Sequence, residues 1–243
     1  MQNSGDELDV SSKIAIQDYW QKTLQVKIPL ETTGPILKAT SEQKFLTLFK
    51  QGESLAVSGP QHAIDQLNSC ESKTKISQLF SKSSLDDIFS NVPHTVLGPA
   101  YLGYSDAHGT PVENTGRFLL AEDNSLMNAL REAVGEVDWE AGGVDMESPC
   151  VLGVCERGKL LAVGSFDIWG DKIAHHCVLT HPRVRGKGYG TKIVSWLQHE
   201  AKKRDLVSQY RTLLKNEASI NVARKLFFLE FATTMAVQFQ TRD

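Results

Sequence analysis

Residues His181 to Gly190 read HPRVRGKGYG. Glycines stand at 186, 188 and 190, with Arg183, Arg185 and Lys187 around them. Glycine loses more backbone freedom on folding than any other residue, so this run implies a need for bare backbone. Before it, "KIAHHCVLT" reads as a strand; after it, "GTKIVSWLQHEAKKR" repeats apolar residues at helical spacing. The first N–H groups of a helix have no internal partner and carry the positive end of the helix dipole. A strand-to-helix turn stripped of side chains and rimmed by cations can cradle an anion of the pyrophosphate kind. The same spacing also suits a tight turn that needs positive φ, with the charge incidental. Two phosphate motifs do not fit. No GxxxxGK(S/T) run is present, and GxGxxG would need glycine at 191, where the chain has Thr191.

The elements that must hold this turn come from a chain of 243 residues, enough for one large domain or two small ones. At 41% hydrophobic residues it can build a sizeable core. A formal net charge of -3 argues against a general nucleic-acid binder. No long uncharged apolar run suggests a membrane span, and the polar, acidic opening MQNSGDELDV does not read as a secretory signal. A cytoplasmic protein is expected. Cys70, Cys150, Cys155 and Cys177 form no CxxC pair and no zinc-ligand spacing, so reduced, packed thiols and no metal site are expected.

Residues 1–110 read as an N-terminal α/β region. "SSKIAIQDYWQKTLQVK" carries Ile14, Ile16, Tyr19, Trp20 and Leu24 on a helical stripe, and "FLTLFKQGESLAVSGP" gives two strands about a Gln51–Gly52 turn. "QHAIDQLNSC" follows as a short helix, "ESKTKISQLFSKSS" as a loop or solvated helix, and "TVLGPAYLGYSD" as a strand. "SDAHGTPVENTG", rich in turn residues, marks the boundary with a second domain, 111–243. There a strand over 117–121 precedes a helix with Leu126, Leu130 and Val134 on one face. "DWEAGGVDMES" is a loop or short helix, and "CVLGVCERGKLLAVGSFDIWG" is two strands about a Glu156–Gly158 turn. After the helix beyond the glycines come a strand "SQYRTLL", a helix "NEASINVARKLFF" and a strand "FATTMAVQF".

Arg185-Gly186-Lys187-Gly188-Tyr189-Gly190 matches Arg/Gln-x-x-Gly-x-Gly/Ala and resembles the acyl-CoA pyrophosphate loop of the GNAT superfamily of N-acetyltransferases. The element order from about 115 to 243 is similar to that fold, and "NEASINVARKLFF" resembles the family's second cofactor segment. The resemblance implies an α/β (α+β) fold with a mixed, mostly antiparallel central sheet flanked by helices. The N-terminal α/β region would be additional, a degenerate relative of the same fold that packs against the C-terminal domain and helps wall the acceptor site. Acetyl-CoA is the implied co-substrate. By position, the backbone of Leu179 and Thr180 would meet pantetheine. The N–H groups of Arg185, Gly186, Lys187, Gly188, Tyr189, Gly190 and Thr191 would take the pyrophosphate. Asn216 and Ser219 would touch the cofactor's far side, although Asn216 equally suits a helix N-cap. The sequence departs from the family twice: Ala223 replaces a proton-donating tyrosine, and Phe227-Phe228 replaces Gly-Phe.

The implied chemistry is direct attack of an amine on the thioester, which needs a base or water relay and donors for an oxyanion. His176 is the first candidate base, on the strand face of Thr180 but ~13 Å along the strand from it. His175 faces the other way. Tyr210 is a weaker candidate acid, and Glu140 could meet a cationic acceptor. The acceptor is an amine of unstated identity; no nucleic-acid or membrane partner is expected, and the chain would act as a monomer or homodimer. Two other readings stay open: a GNAT-like CoA-binding sensor or scaffold, and a nucleotide-binding or interaction module.

Overall fold

The computed structural model describes residues 7–40, 44–69 and 76–240. The chain runs α1 (Val10–Leu24), β1 (Gly34–Ala39), β2 (Phe45–Gln51), β3 (Ser54–Gly59), α2 (Gln61–Ser69), α3 (Ile76–Leu79), α4 (Lys82–Ile88) and β4 (His94–Ser105). It continues with β5 (Gly116–Phe118), α5 (Asn124–Val134), α6 (Glu136–Gly142), β6 (Cys150–Glu156), β7 (Lys159–Trp169) and β8 (Ile173–Thr180). Then come α7 (Tyr189–Lys203), β9 (Val207–Leu213), α8 (Glu217–Lys225) and β10 (Leu229–Phe239). The class is mixed α/β with mostly antiparallel pairing, as the resemblance implies. These elements form two compact units, each assembled from separate stretches of chain.

The unit that carries the glycine run comprises Met1–Ala15, Gly103–Arg211 and Glu217–Leu229. Its strands lie in the order β9-β8-β7-β6-β5. Pairing is antiparallel from β5 to β8 and parallel between β8 and β9. A parallel pair needs a crossover, and α7 supplies it. The β6–β7 hairpin turns at Arg157 and Gly158, both at positive φ, as a tight two-residue turn requires. Side chains of β8 alternate between two cores. Ala174 and Val178 pack with Ile193, Leu197 and Ala201 of α7; Cys177 and Leu179 pack with Met127 and Leu130 of α5. Close packing fixes both layers. A Cβ on Gly164 would lie 2.3 Å from Ile193, and one on Gly142 2.3 Å from Leu179.

Several expectations change in detail. The strand over 117–121 ends at Phe118, because the Asp123 carboxylate folds the chain back. It accepts the Leu120 N–H at 2.9 Å and both Arg117 terminal nitrogens at 2.6 and 2.5 Å. Residues near 105–116 lie against α7. The Thr110 N–H donates to Ser195 Oγ at 3.0 Å, and a Cβ on Gly109 would sit 1.6 Å from the Ser195 carbonyl oxygen. On α8, Ile220 and Ala223 are the buried pair.

The other unit comprises Ile16–Leu102, Thr212–Asn216 and Glu230–Asp243, with strands in the order β1-β3-β2-β10-β4. β2 and β3 form the expected hairpin, with Gly52 at φ +58. β10 pairs antiparallel with β2, and β1, which the sequence did not announce, runs parallel to β3. Leu46, Leu48, Val57, Ile64, Phe89, Met235 and Val237 form its core. Ile16, Trp20 and Leu24 of α1 are buried, whereas Ile14 is 52% exposed and leaves the expected stripe. Cys70 and residues 71–75 lie outside the described residues; Cys150, Cys155 and Cys177 are free thiols. Among the described residues no helix is long and apolar enough to cross a membrane.

Candidate functional site

The glycine run leaves β8 through a short 3-10 turn, Pro182–Val184, and enters α7 at Tyr189. Gly186 and Gly188 take φ of +77 and +84, in the left-handed region that side chains resist. A Cβ on either would meet nothing within 4 Å, so both open onto free space. Gly190 faces Thr180, whose methyl would lie 3.5 Å from an added Cβ. The N–H groups of Arg185 and Lys187 are already used, donating to Pro182 and Val184 carbonyls at 3.3 and 3.1 Å. That corrects the expectation of seven donors. Gly186, Gly188, Tyr189, Gly190 and Thr191 retain N–H groups with no partner among the described residues, at the positive end of a 15-residue helix.

Side chains around the turn are anchored outward. Arg185 donates through Nη2 to Asp138 of α6 at 2.7 Å and through Nε to the Thr180 carbonyl at 3.4 Å. Tyr189 donates its hydroxyl to Glu156 at 2.6 Å, and Lys192 lies 5.4 Å from the Tyr189 ring centroid. Arg183 and Lys187 are exposed and make no ion pair among the described residues.

Beside this turn the sheet opens. β8 pairs with β9 only from Ile173–Val207 to His176–Tyr210, although β8 continues to Thr180. The Val207 N–H bonds the Lys172 carbonyl at 2.8 Å, and the His181 N–H bonds the Leu161 carbonyl at 2.9 Å. Backbone groups alternate in direction along a strand, so even-numbered β8 residues face β9 and odd-numbered ones face β7. Past His176, the main chain of Val178 and Thr180 therefore faces the unpaired edge. Leu179 was expected there, but its N–H and C=O face Val163 of β7.

Residues 119–228 match the acetyltransferase (GNAT) family model. They form a GNAT acetyltransferase domain. A search of curated proteins found no match. Among solved structures, a GNAT-family protein from Novosphingobium aromaticivorans is 20% identical with a TM-score of 0.49; the match covers 61% of this chain and 68% of that one. A GNAT-family acetyltransferase from Colwellia psychrerythraea is 17% identical with a TM-score of 0.49, and the match covers 66% of this chain and 63% of that one. The Salmonella typhimurium protein yncA, solved with its cofactor acetyl-CoA, is 22% identical over 53% of this chain and 95% of that one, with a TM-score of 0.38.

Within the GNAT domain the candidate proton carriers do not form one cluster: His176 and Tyr210 are cross-strand partners, and Glu140 stands apart from both. His176 is 3% exposed, packed between Phe166 and Phe228 at ring-centroid distances of 6.0 and 5.8 Å. Neither ring nitrogen has a hydrogen-bond partner, and burial pushes its pKa down to about 3. This placement does not suit the base that the sequence suggests. The ring is walled off from an acceptor, and a group that stays neutral so far into acid takes a proton poorly. His175, on the other face, stacks on Trp169 at 4.0 Å and pairs with Gln209 at 2.7 Å; burial lowers it to about 4. Tyr210 shares the His176 face, and its hydroxyl meets the Ser219 hydroxyl of α8 at 2.7 Å. Burial raises the Tyr210 pKa and keeps it protonated.

Glu140 is exposed on α6, whose C-terminal glycines pack on Leu179 and Cys177, so the opposite sheet face separates it from His176 and Tyr210. Asn216, just before α8, is exposed and donates its N–H to the Leu213 carbonyl at 2.9 Å. Ala223, at the position where the resemblance implies a tyrosine, is fully buried. Phe227 stands in for glycine at φ +58 and 56% exposure. The Asp138 and Glu156 contacts had no signal in the sequence; Val178 could have been found only from the strand pairing.

Proposed function

We propose that this chain is an acetyl-CoA-dependent N-acetyltransferase that moves the acetyl group directly to an amine of its acceptor. The observation that carries the reading is one continuous ligand track in main chain. Five N–H groups of the 186–191 turn stand at the head of α7, next to the unpaired edge of Val178 and Thr180. The first suits a diphosphate; the second suits the amides of pantetheine, which would extend β8 as an added strand does. The open space over Gly186 and Gly188 fits the group, because any side chain there would fill it. Ser219 of α8 would add a contact from the cofactor's far side. The oxyanion formed as the amine attacks would be met by main-chain N–H at the same edge. With His176 walled off, the amine's proton would leave through water. Tyr210 holds its proton at neutral pH and is the candidate donor to the departing thiolate. That donor is helpful but not obligatory, since a thiol of pKa about 8.5 leaves tolerably well.

The test is thiol release from acetyl-CoA against a panel of amines, with mass spectrometry of the acetylated product. Gly188→Val should abolish calorimetric binding of CoA and turnover together, since a β-branched residue resists φ +84 and fills the cradle. A variant that binds CoA normally would refute the placement. A second reading, a CoA-binding sensor or scaffold, draws support from the buried Ala223 and the walled-off His176. It predicts CoA binding without turnover on any amine. Competition by ATP without CoA binding would point instead to a nucleotide module.

A further inference from the structure

The arginine of the glycine turn is held by an acid from a different element. Nε and Nη2 of a guanidinium make a fork that receives a phosphate or carboxylate through two parallel bonds. In Arg185 this fork is divided: Nη2 goes to Asp138 at 2.7 Å and Nε to the Thr180 carbonyl at 3.4 Å. Both partners are at the site. Thr180 belongs to the unpaired edge of β8. Asp138 lies in the first turn of α6, whose other end is seated on Leu179 and Cys177. The turn carries three cations, Arg183, Arg185 and Lys187, and among the described residues Asp138 alone offsets one of them by an ion pair.

We infer that Asp138 is an internal competitor for the cofactor's diphosphate and sets the affinity of the turn. It rests on the reading of this turn as the diphosphate site. A diphosphate that uses the Arg185 fork must take it from Asp138, so its apparent affinity falls by the fraction of time that the pair is closed. Both side chains are about half exposed, at 48% and 47%, so the pair is a weak latch that a polyanion can open. Exchange of Arg185 from Asp138 to the ligand also removes a tie on α6. Asp138 is thus a specificity-determining residue: it demands that a ligand bring enough charge to win the guanidinium.

The alternative is that Asp138 orients Arg185 towards the ligand, and the sign of one substitution separates the two. Calorimetry with CoA and with inorganic pyrophosphate on Asp138→Asn should show both bound about two- to fivefold more tightly than by the parent. Asp138→Ser should do the same, which guards against an effect peculiar to asparagine. In an Arg185→Gln background the Asp138→Asn change should have no effect on either ligand. Unchanged or weaker binding by Asp138→Asn overturns the inference. So does equal tightening in the Arg185→Gln background, which would reduce Asp138 to a contributor to the general field. A parent protein that binds neither CoA nor pyrophosphate overturns the proposed function as well, and is distinguished by that first measurement.

Discussion

Burial without a hydrogen-bond partner keeps His176 neutral in the folded protein, and that has a measurable cost in acid. Its folded pKa of about 3 lies below the unfolded value of about 6.5. Between these values the unfolded chain binds more protons, so the stability is intact above about pH 6.5 and is lost as pH falls towards 3. His175, lowered to about 4, acts in the same direction. Each histidine contributes a slope of at most about 1.4 kcal/mol per pH unit in this window. His176→Leu should therefore shrink the fall in melting temperature between pH 7 and pH 5, while leaving the pH 7 fold in place. Melts of both proteins at the two pH values check this; an unchanged fall would mean that the imidazole is not desolvated.

At the scale of elements, α8 ends in an unusual cap. The Phe228 N–H bonds the Ala223 carbonyl at 3.0 Å and the Phe227 N–H bonds the Arg224 carbonyl at 3.2 Å, the two bonds of a Schellman motif. The motif puts Phe227 in the left-handed region, where a side chain costs roughly 1–2 kcal/mol. Phe227→Gly should raise stability to urea by about 0.5–1 kcal/mol, after the extra freedom that glycine has when unfolded. A loss of stability would show that the aromatic packing outweighs the strain. The sequence announced this anomaly as Phe-Phe in place of Gly-Phe, because glycine demand is local. It also announced β6, β7, β8 and α7, whose period-two and helical patterns are strong. β1 escaped notice because Gly34 and Pro35 open it and none of its residues is fully buried, which blurs any alternation. At the site, the pattern assigns side chains to faces but not main-chain groups to edges. Hence Leu179 was expected where Val178 stands. The Asp138–Arg185 pair spans 47 residues and exists only once α6 is seated, so no local pattern could reveal it.

For the whole molecule, continuity in sequence is a poor guide to continuity in space. β10, the last strand, lies between β2 and β4. A fragment of residues 111–243 therefore keeps the glycine turn but strips β10 of both neighbours, exposing Met235 and Val237, which are fully buried in the intact chain. Such a fragment should be markedly less soluble than the full chain, and light scattering of the two at equal concentration checks it. A fully soluble, monomeric fragment would show that β10 needs neither strand. The turn itself has a different kind of resilience. Its anion donors are amide protons, which nineteen of the twenty encoded residues possess. A codon change at Tyr189 or Thr191 alters the side chain and leaves the donor where it was. Only proline deletes a donor, and only loss of the left-handed glycines misdirects one. The gene can thus drift widely across this stretch while the ligand meets the same row of hydrogens.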